Sequence, residues 1–126
     1  MNGLTLFLVG DRRTFRPGEE LTGEASWQLA RAPAAVEVRL CWFTGGLAIA
    51  EARCVDKVCF NQPAASERRR FSFQLPEGPW SFQGSLAALA WAVELVVLPD
   101  QRCSRVEFTL GPAGSPISLF QAPKQE

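Results

Sequence analysis

The stretch Arg70–Val97, RFSFQLPEGPWSFQGSLAALAWAVELVV, decides the fold. In its first part Phe71, Phe73 and Leu75 alternate with Arg70, Ser72 and Gln74, the two-residue period of a half-buried strand. Pro76, Gly78, Pro79 and Gly84 then interrupt pairing, because proline has no amide donor and glycine accepts positive φ. From Ser85 the alternation resumes, with Ala87, Leu89, Trp91, Val93, Leu95 and Val97 on one face. Ala88, Ala90, Ala92 and Val96 make the other face apolar as well, which predicts a strand covered on both sides. The alanine and leucine content of Ala87–Leu98 also suits a buried helix. The valines at 93, 96 and 97, the break at Gly84 and the surrounding strands favour the extended form.

Working outward, most of the chain carries the same period. Leu4, Leu6 and Leu8 alternate with Thr5, Phe7 and Val9 in a first strand. After the loop Gly10–Gly18, Leu21, Gly23, Ala25, Trp27 and Leu29 face one way, and Thr22, Glu24, Ser26 and Gln28 the other. Val36, Val38, Leu40 and Trp42 alternate with Glu37, Arg39, Cys41 and Phe43 and run into Thr44-Gly45-Gly46. A three-residue loop there pairs Phe43 with Leu47. It sets Arg39 opposite Glu51 and Glu37 opposite Arg53, with Leu40, Val38 and Val36 against Ala50, Ala52 and Cys54. In that register Cys41 projects from the wet face and Cys54 from the core face. Downstream, Ser104, Val106, Phe108 and Leu110 alternate with Arg105, Glu107 and Thr109. A four-residue turn at Pro99–Arg102 would set Glu94 against Glu107, a like-charge pair that counts against that register.

At 126 residues the chain suits one core, and 47% apolar with 21% charged residues is the composition of an ordinary globular domain. Residues 1–110 are expected to form the domain, and the proline-, glycine- and serine-rich 111–126 a tail or linker that is disordered or docks as an added strand. The net charge is zero, so the electrostatic attraction that nucleic acids exert on basic proteins is missing and no nucleic-acid partner is expected. The apolar run Leu4–Val9 has no basic lead, and Leu86–Leu98 is too short to cross a bilayer. The expectation is a cytoplasmic protein without membrane insertion. Cys41, Cys54, Cys59 and Cys103 match no zinc spacing and the chain has no histidine, so four free thiols, no metal and no cofactor are expected.

At this point three segments resemble, in order, the N-terminal half of the arrestin-like superfamily: Phe15–Leu29, Val36–Gly46 and Phe71–Leu95. The carriers are Pro17, Gly18 and Glu19 leading a strand that contains Gly23. They are followed by the corner Leu75-Pro76, then Pro79, Ser81, Phe82 and Gly84, then a long strand with Trp91. Trp80 is inserted relative to the usual spacing of the corner. The resemblance implies an all-β, immunoglobulin-like antiparallel sandwich of about seven strands and a non-enzymatic role in binding other proteins. Superfamily members that sort cargo carry two such sandwiches, and this chain has room for one.

Three groups of residues are candidates for function. Arg12 and Arg13, with Arg16, form a basic loop, and Arg68, Arg69 and Arg70 a basic strand end. Arginine offers bidentate geometry to anionic groups, and both sets are candidate protein-partner contacts. The second set also reads as charges guarding a sheet edge against aggregation. Trp80 and Phe82 are candidate stacking residues of a small-ligand or carbohydrate-binding loop, or equally corner packing. Edge strands further offer self-pairing into a homo-oligomer. Without histidine, and with scattered carboxylates, no catalytic residues are expected and the chain reads as no enzyme.

Overall fold

Alternation at period two puts one side of each strand against a common core, and two sheets stacked on those sides bury it. The computed structural model describes residues 3–46, 51–84, 87–112 and 117–118. The long strands are β1 (Gly3–Leu8), β3 (Glu20–Gln28), β4 (Ala35–Gly46), β5 (Ala52–Phe60), β6 (Ser66–Gln74), β8 (Ala87–Leu98) and β9 (Arg102–Leu110). Short segments β2 (Thr14–Phe15), β7 (Phe82–Gln83) and β10 (Ile117–Ser118) complete the ladders. One sheet has the order β1-β3-β6. The other has β5-β4-β8-β9, with β2 running parallel to β9, β7 pairing the start of β8, and β10 parallel to β7. This is an all-β, immunoglobulin-like (arrestin-like) sandwich. Ala87–Leu98 is extended, as its valines favour. Of the tail beyond Leu110, all but Gly111, Pro112 and β10 lies outside the described residues.

The core is the set the alternation selects: Leu6, Leu8, Leu21, Ala25 and Trp27 from the smaller sheet with Phe71, Phe73 and Leu75, facing Val36, Val38, Leu40, Trp91, Val93 and Leu95. Two fully buried tryptophans satisfy their indole N–H groups on loop carbonyls. Trp27 donates to Ala64 O at 2.8 Å and Trp91 to Pro79 O at 2.7 Å, so each ring pins a connection to the core. Gly23 is required by space: a Cβ there would stand 2.5 Å from the Phe71 ring and 2.6 Å from Phe7 O. Gly18 is required by conformation. With φ at +83° it follows Pro17 in a turn closed by Glu19 N donating to Arg16 O, the type II arrangement.

Two sequence-based registers are corrected. Phe43 pairs with Ala52, Arg39 with Lys57 and Glu37 with Cys59, and a shift between Leu40 and Cys41 leaves Val55 as the extra residue of a bulge. Leu47 lies outside the described residues. The bulge brings Cys54 opposite Cys41 on the outer face, where the two form a disulfide, so neither is a free thiol and Cys54 is not on the core side. At the other hairpin Val93 pairs with Val106, two residues from the register with the like-charge clash. Glu94 thereby meets Arg105 at 3.0 Å.

The outer face of β8 departs from expectation in a second way. Ala92 and Val96 are buried, yet no further layer covers them among the described residues. Arg39 and Glu94 flank them on β4 and β8, and Arg105 follows on β9, where its guanidinium lies 4.7 Å from the Phe43 ring centre. The aliphatic stems of such side chains cover apolar surface while the charges stay wet.

Candidate functional site

The two lateral flanks of the sandwich differ. On one, the chain crosses from β1 in the smaller sheet to β2 in the larger, and the β2 and β7 segments cap β9 and β8. On the other, β5 and β6 each pair on one side only among the described residues. Trp27 stacks on Phe60 at 5.8 Å, which ties the end of β5 to the opposing sheet on this open flank. Beside the free edge of β6 lies a shallow groove of about 570 Å³ lined by the outward residues Glu20, Thr22, Arg70 and Ser72 of the smaller sheet, with Phe71 and with Val58 of β5. Its floor is apolar at Val58 and Phe71. Its rim carries Arg70, which makes no ion pair among the described residues.

The three arginines of the basic strand end therefore separate by parity. Arg69 turns toward the sandwich interior, where it pairs with Glu67 and lies 5.4 Å from the Phe60 ring centre, sealing that end of the core. Arg68 and Arg70 point outward; Arg68 reaches Glu24 at 3.6 Å, and Arg70 is left to the groove. The other basic pair is far from this flank. Arg12 is committed to Glu19 and to the Phe15 ring at 4.3 Å, and Arg13 to Asp11 at 3.0 Å.

Arg13 and Phe82 meet in a second, smaller cavity of about 230 Å³ with Ser81, Glu107 and Thr109. Trp80 is not in its lining. It is 40% exposed, and its indole donates to Glu77 O within the same turn at 2.9 Å. The structure thus parts the two aromatics that the sequence groups together. Ser81 is buried and bonded to Leu110: its N–H donates to Leu110 O, and its hydroxyl accepts from Leu110 N at 2.9 Å.

The carboxylates with shifted titration all move the same way. Glu19 is held below the usual carboxylate range by the Arg16 amide and then Arg12, Glu37 by Arg39 against the opposing effect of burial, and Glu67 by Arg69 and the Ala64 amide. Each is an ion-pair anchor. The Cys103 thiol is pushed up by burial and by Glu94, which keeps it protonated. Val58 and the groove it lines escaped the sequence reading. The sequence-based register ends the paired strand at Cys54, whereas β5 runs on to Phe60 and sets Val58 opposite Val38.

No family model matches the chain, and no curated protein matches its sequence. Among solved structures the fold is similar to Spo0M, a sporulation control protein from Bacillus subtilis, at a TM-score of 0.60 and 14% identity over 87% of this chain. That match covers 49% of Spo0M, so this chain spans about half the length of that protein. Weaker likenesses are to the alkylpurine DNA glycosylase AlkC of Pseudomonas fluorescens bound to DNA containing an abasic site analog (TM-score 0.48, 12% identity, 87% of this chain, 30% of that one). The β-glucosidase of Listeria innocua in complex with gluconolactone follows (TM-score 0.47, 14% identity, 92% of this chain, 16% of that one). At these identities the likeness is one of fold. Among the described residues no helix is long and apolar enough to cross a membrane.

Proposed function

We propose that this domain is a non-enzymatic protein-interaction module of arrestin-like type, an adaptor that takes an extended segment of a partner protein along its open flank. The observation that carries the reading is that β5 and β6, each pairing on one side only among the described residues, lie on the same flank of the sandwich. An added strand finds backbone donors and acceptors along such an edge and side-chain pockets at alternate positions. Val58 and Phe71 would take an apolar residue, and the free guanidinium of Arg70 a carboxylate two residues along. The ordered arrestin-like motifs and the likeness in fold to Spo0M support the same class. The small cavity at Phe82 lies below the ~300 Å³ at which ligand sites ordinarily begin, so the carbohydrate reading has less behind it.

The test is capture of partners from a lysate followed by direct binding between purified components, with Arg70→Glu beside the native chain. Affinity for the purified partner is expected to fall at least about tenfold in the variant, since loss of a charge-assisted contact costs ~1.5–3 kcal/mol, with an unchanged melting midpoint. Binding that survives Arg70→Glu, and leaves the amides of β5 and β6 unprotected in hydrogen exchange, overturns the reading. Self-association that fills the same edges would show instead as a concentration-dependent dimer.

A further inference from the structure

All four cysteines stand on the outer face of the larger sheet, and two of them meet there with a carboxylate. Cys41 on β4 is joined to Cys54 on β5, and a Glu94 carboxylate oxygen lies with the two sulfurs in a cluster whose members are all within 4.8 Å of one another. Three adjacent strands contribute one donor each. Ala92, the residue opposite Cys41 on β8, is too small to fill the space beside the sulfur, and Glu94, two residues along the same face, reaches into it. The two sulfurs differ in access: Cys41 is 4% exposed, whereas Cys54 is open to solvent on the edge strand.

We propose that Cys41, Cys54 and Glu94 form a binding site for a thiophilic divalent cation of the zinc class, available when the Cys41–Cys54 bond is reduced and closed when it is formed. Two thiolates and a carboxylate are a donor set that zinc accepts, and the thiolates disfavour magnesium and calcium, which take oxygen ligands. Three protein ligands leave a fourth position for water or for a donor on a bound partner. The opening step balances as a thiol exchange. One thiolate of a dithiol reductant attacks Cys54 Sγ, the exposed sulfur, and Cys41 leaves as a thiolate. The second thiolate of the reductant then frees Cys54, so that two electrons pass to the protein, the two sulfurs become thiols on taking up two protons, and the reductant becomes a disulfide. The cation displaces the thiol protons on binding. Glu94 must turn from Arg105 to the cation, and Arg105 keeps its place over the Phe43 ring. The site is independent of the partner groove: its donors lie on the outer face, not among the groove residues.

The experiment uses the full chain, reduced and freed of reductant under anaerobic conditions, titrated with Co²⁺ as the spectroscopic probe and then with Zn²⁺ as competitor. The expected result is one Co²⁺ per chain, with sulfur-to-cobalt charge-transfer absorption that Zn²⁺ abolishes, and no binding by the disulfide form. Cys54→Ser is expected to remove the charge-transfer band's two-sulfur intensity. Glu94→Gln should keep the sulfur bands and weaken binding about tenfold or more, the scale on which ligand-shell changes act. Cys59→Ser and Cys103→Ser should bind as the native chain does. Equal uptake by oxidised and reduced protein, no uptake by either, or bands that keep their full intensity in Cys54→Ser or vanish in Cys103→Ser would each overturn the assignment. Because Cys54 lies on an exposed edge, its substitution leaves the core untouched, and Glu94→Gln reads the site without altering a cysteine.

Discussion

On its inner face β8 sets Leu89, Trp91, Val93, Leu95 and Val97 against a second sheet; on its outer face Ala92 and Val96 are equally dry with no sheet above them among the described residues. The inner residues are excluded from water by interlocking apolar shapes. The outer ones lie among Cys41 of the disulfide, Cys103 and the charged side chains of Glu37, Glu94 and Glu107, with Arg39 and Arg105 paired to carboxylates there. An apolar strand face is thus evidence of burial, but not of a packed layer. The two kinds of burial should also fail differently, since a packed interior has no slack whereas a carpet of long side chains can rearrange.

The sharpest way to test the contrast is to remove inner volume. Trp91→Ala should cost ~3–5 kcal/mol, from lost burial and from a Pro79 carbonyl left without its donor, read as a drop in the urea midpoint. Adding volume inside comes next. Gly23→Ala drives a methyl into the Phe71 ring and Phe7 O and should cost ~1–3 kcal/mol, with the melting midpoint falling accordingly. The carpet should yield less. Arg105→Ala removes the partner of Glu94 and the cover of Phe43, both solvent-facing, and is expected to lower stability by about 1 kcal/mol in the same assay. An Arg105→Ala loss as large as that of Trp91→Ala would erase the distinction.

The smallest effect is one of pH. Glu19, Glu37 and Glu67 all titrate below their ordinary value of 4.5 in the folded chain. A carboxyl that is more acidic folded than unfolded contributes its full stabilisation above the unfolded value, and loses it as pH falls through the folded one. Stability should therefore be flat from neutrality down to the carboxylate range and fall below it. Glu37→Gln should flatten part of that fall, a difference that urea midpoints across the acid range would resolve.

How the chain announces its fold can be judged residue by residue. Faces were legible, because parity within a strand depends only on local alternation: Trp27, Phe71, Phe73 and Trp91 all lie where that rule puts them. Registers were less so. The β4–β5 hairpin looked convincing with Arg39 opposite Glu51 and Glu37 opposite Arg53, but that argument treats the hairpin as an isolated ribbon. β4 is central, and Arg39 lies between Lys57 on β5 and Glu94 on β8, while Glu37 reconciles Arg39 at 2.9 Å and Lys57 at 3.6 Å. Charge complementarity is satisfied across the sheet, not within one pair of strands. The extra residue at Val55 leaves Val58 on the inner face, opposite Val38, and puts Cys54 on the outer one, opposite Cys41. Of the open flank, Arg70 was visible as a charge. That it makes no ion pair among the described residues depends on the strand beside β6, where Glu24, opposite Arg70, pairs with Arg68 instead.

The parallel pairing of β2 with β9 gives the domain a mechanical character. β2 lies near the start of the sandwich and β9 at its end, and Thr109 N donates to Arg13 O and Gly111 N to Phe15 O between them. Tension applied to the two ends of the sandwich pulls these strands along their axes in opposite directions. The bridging bonds lie across that pull and are loaded together, as rivets in a lap joint are, whereas a hairpin pulled at its open end gives way one bond at a time. The contact between β2 and β9 therefore carries load in shear.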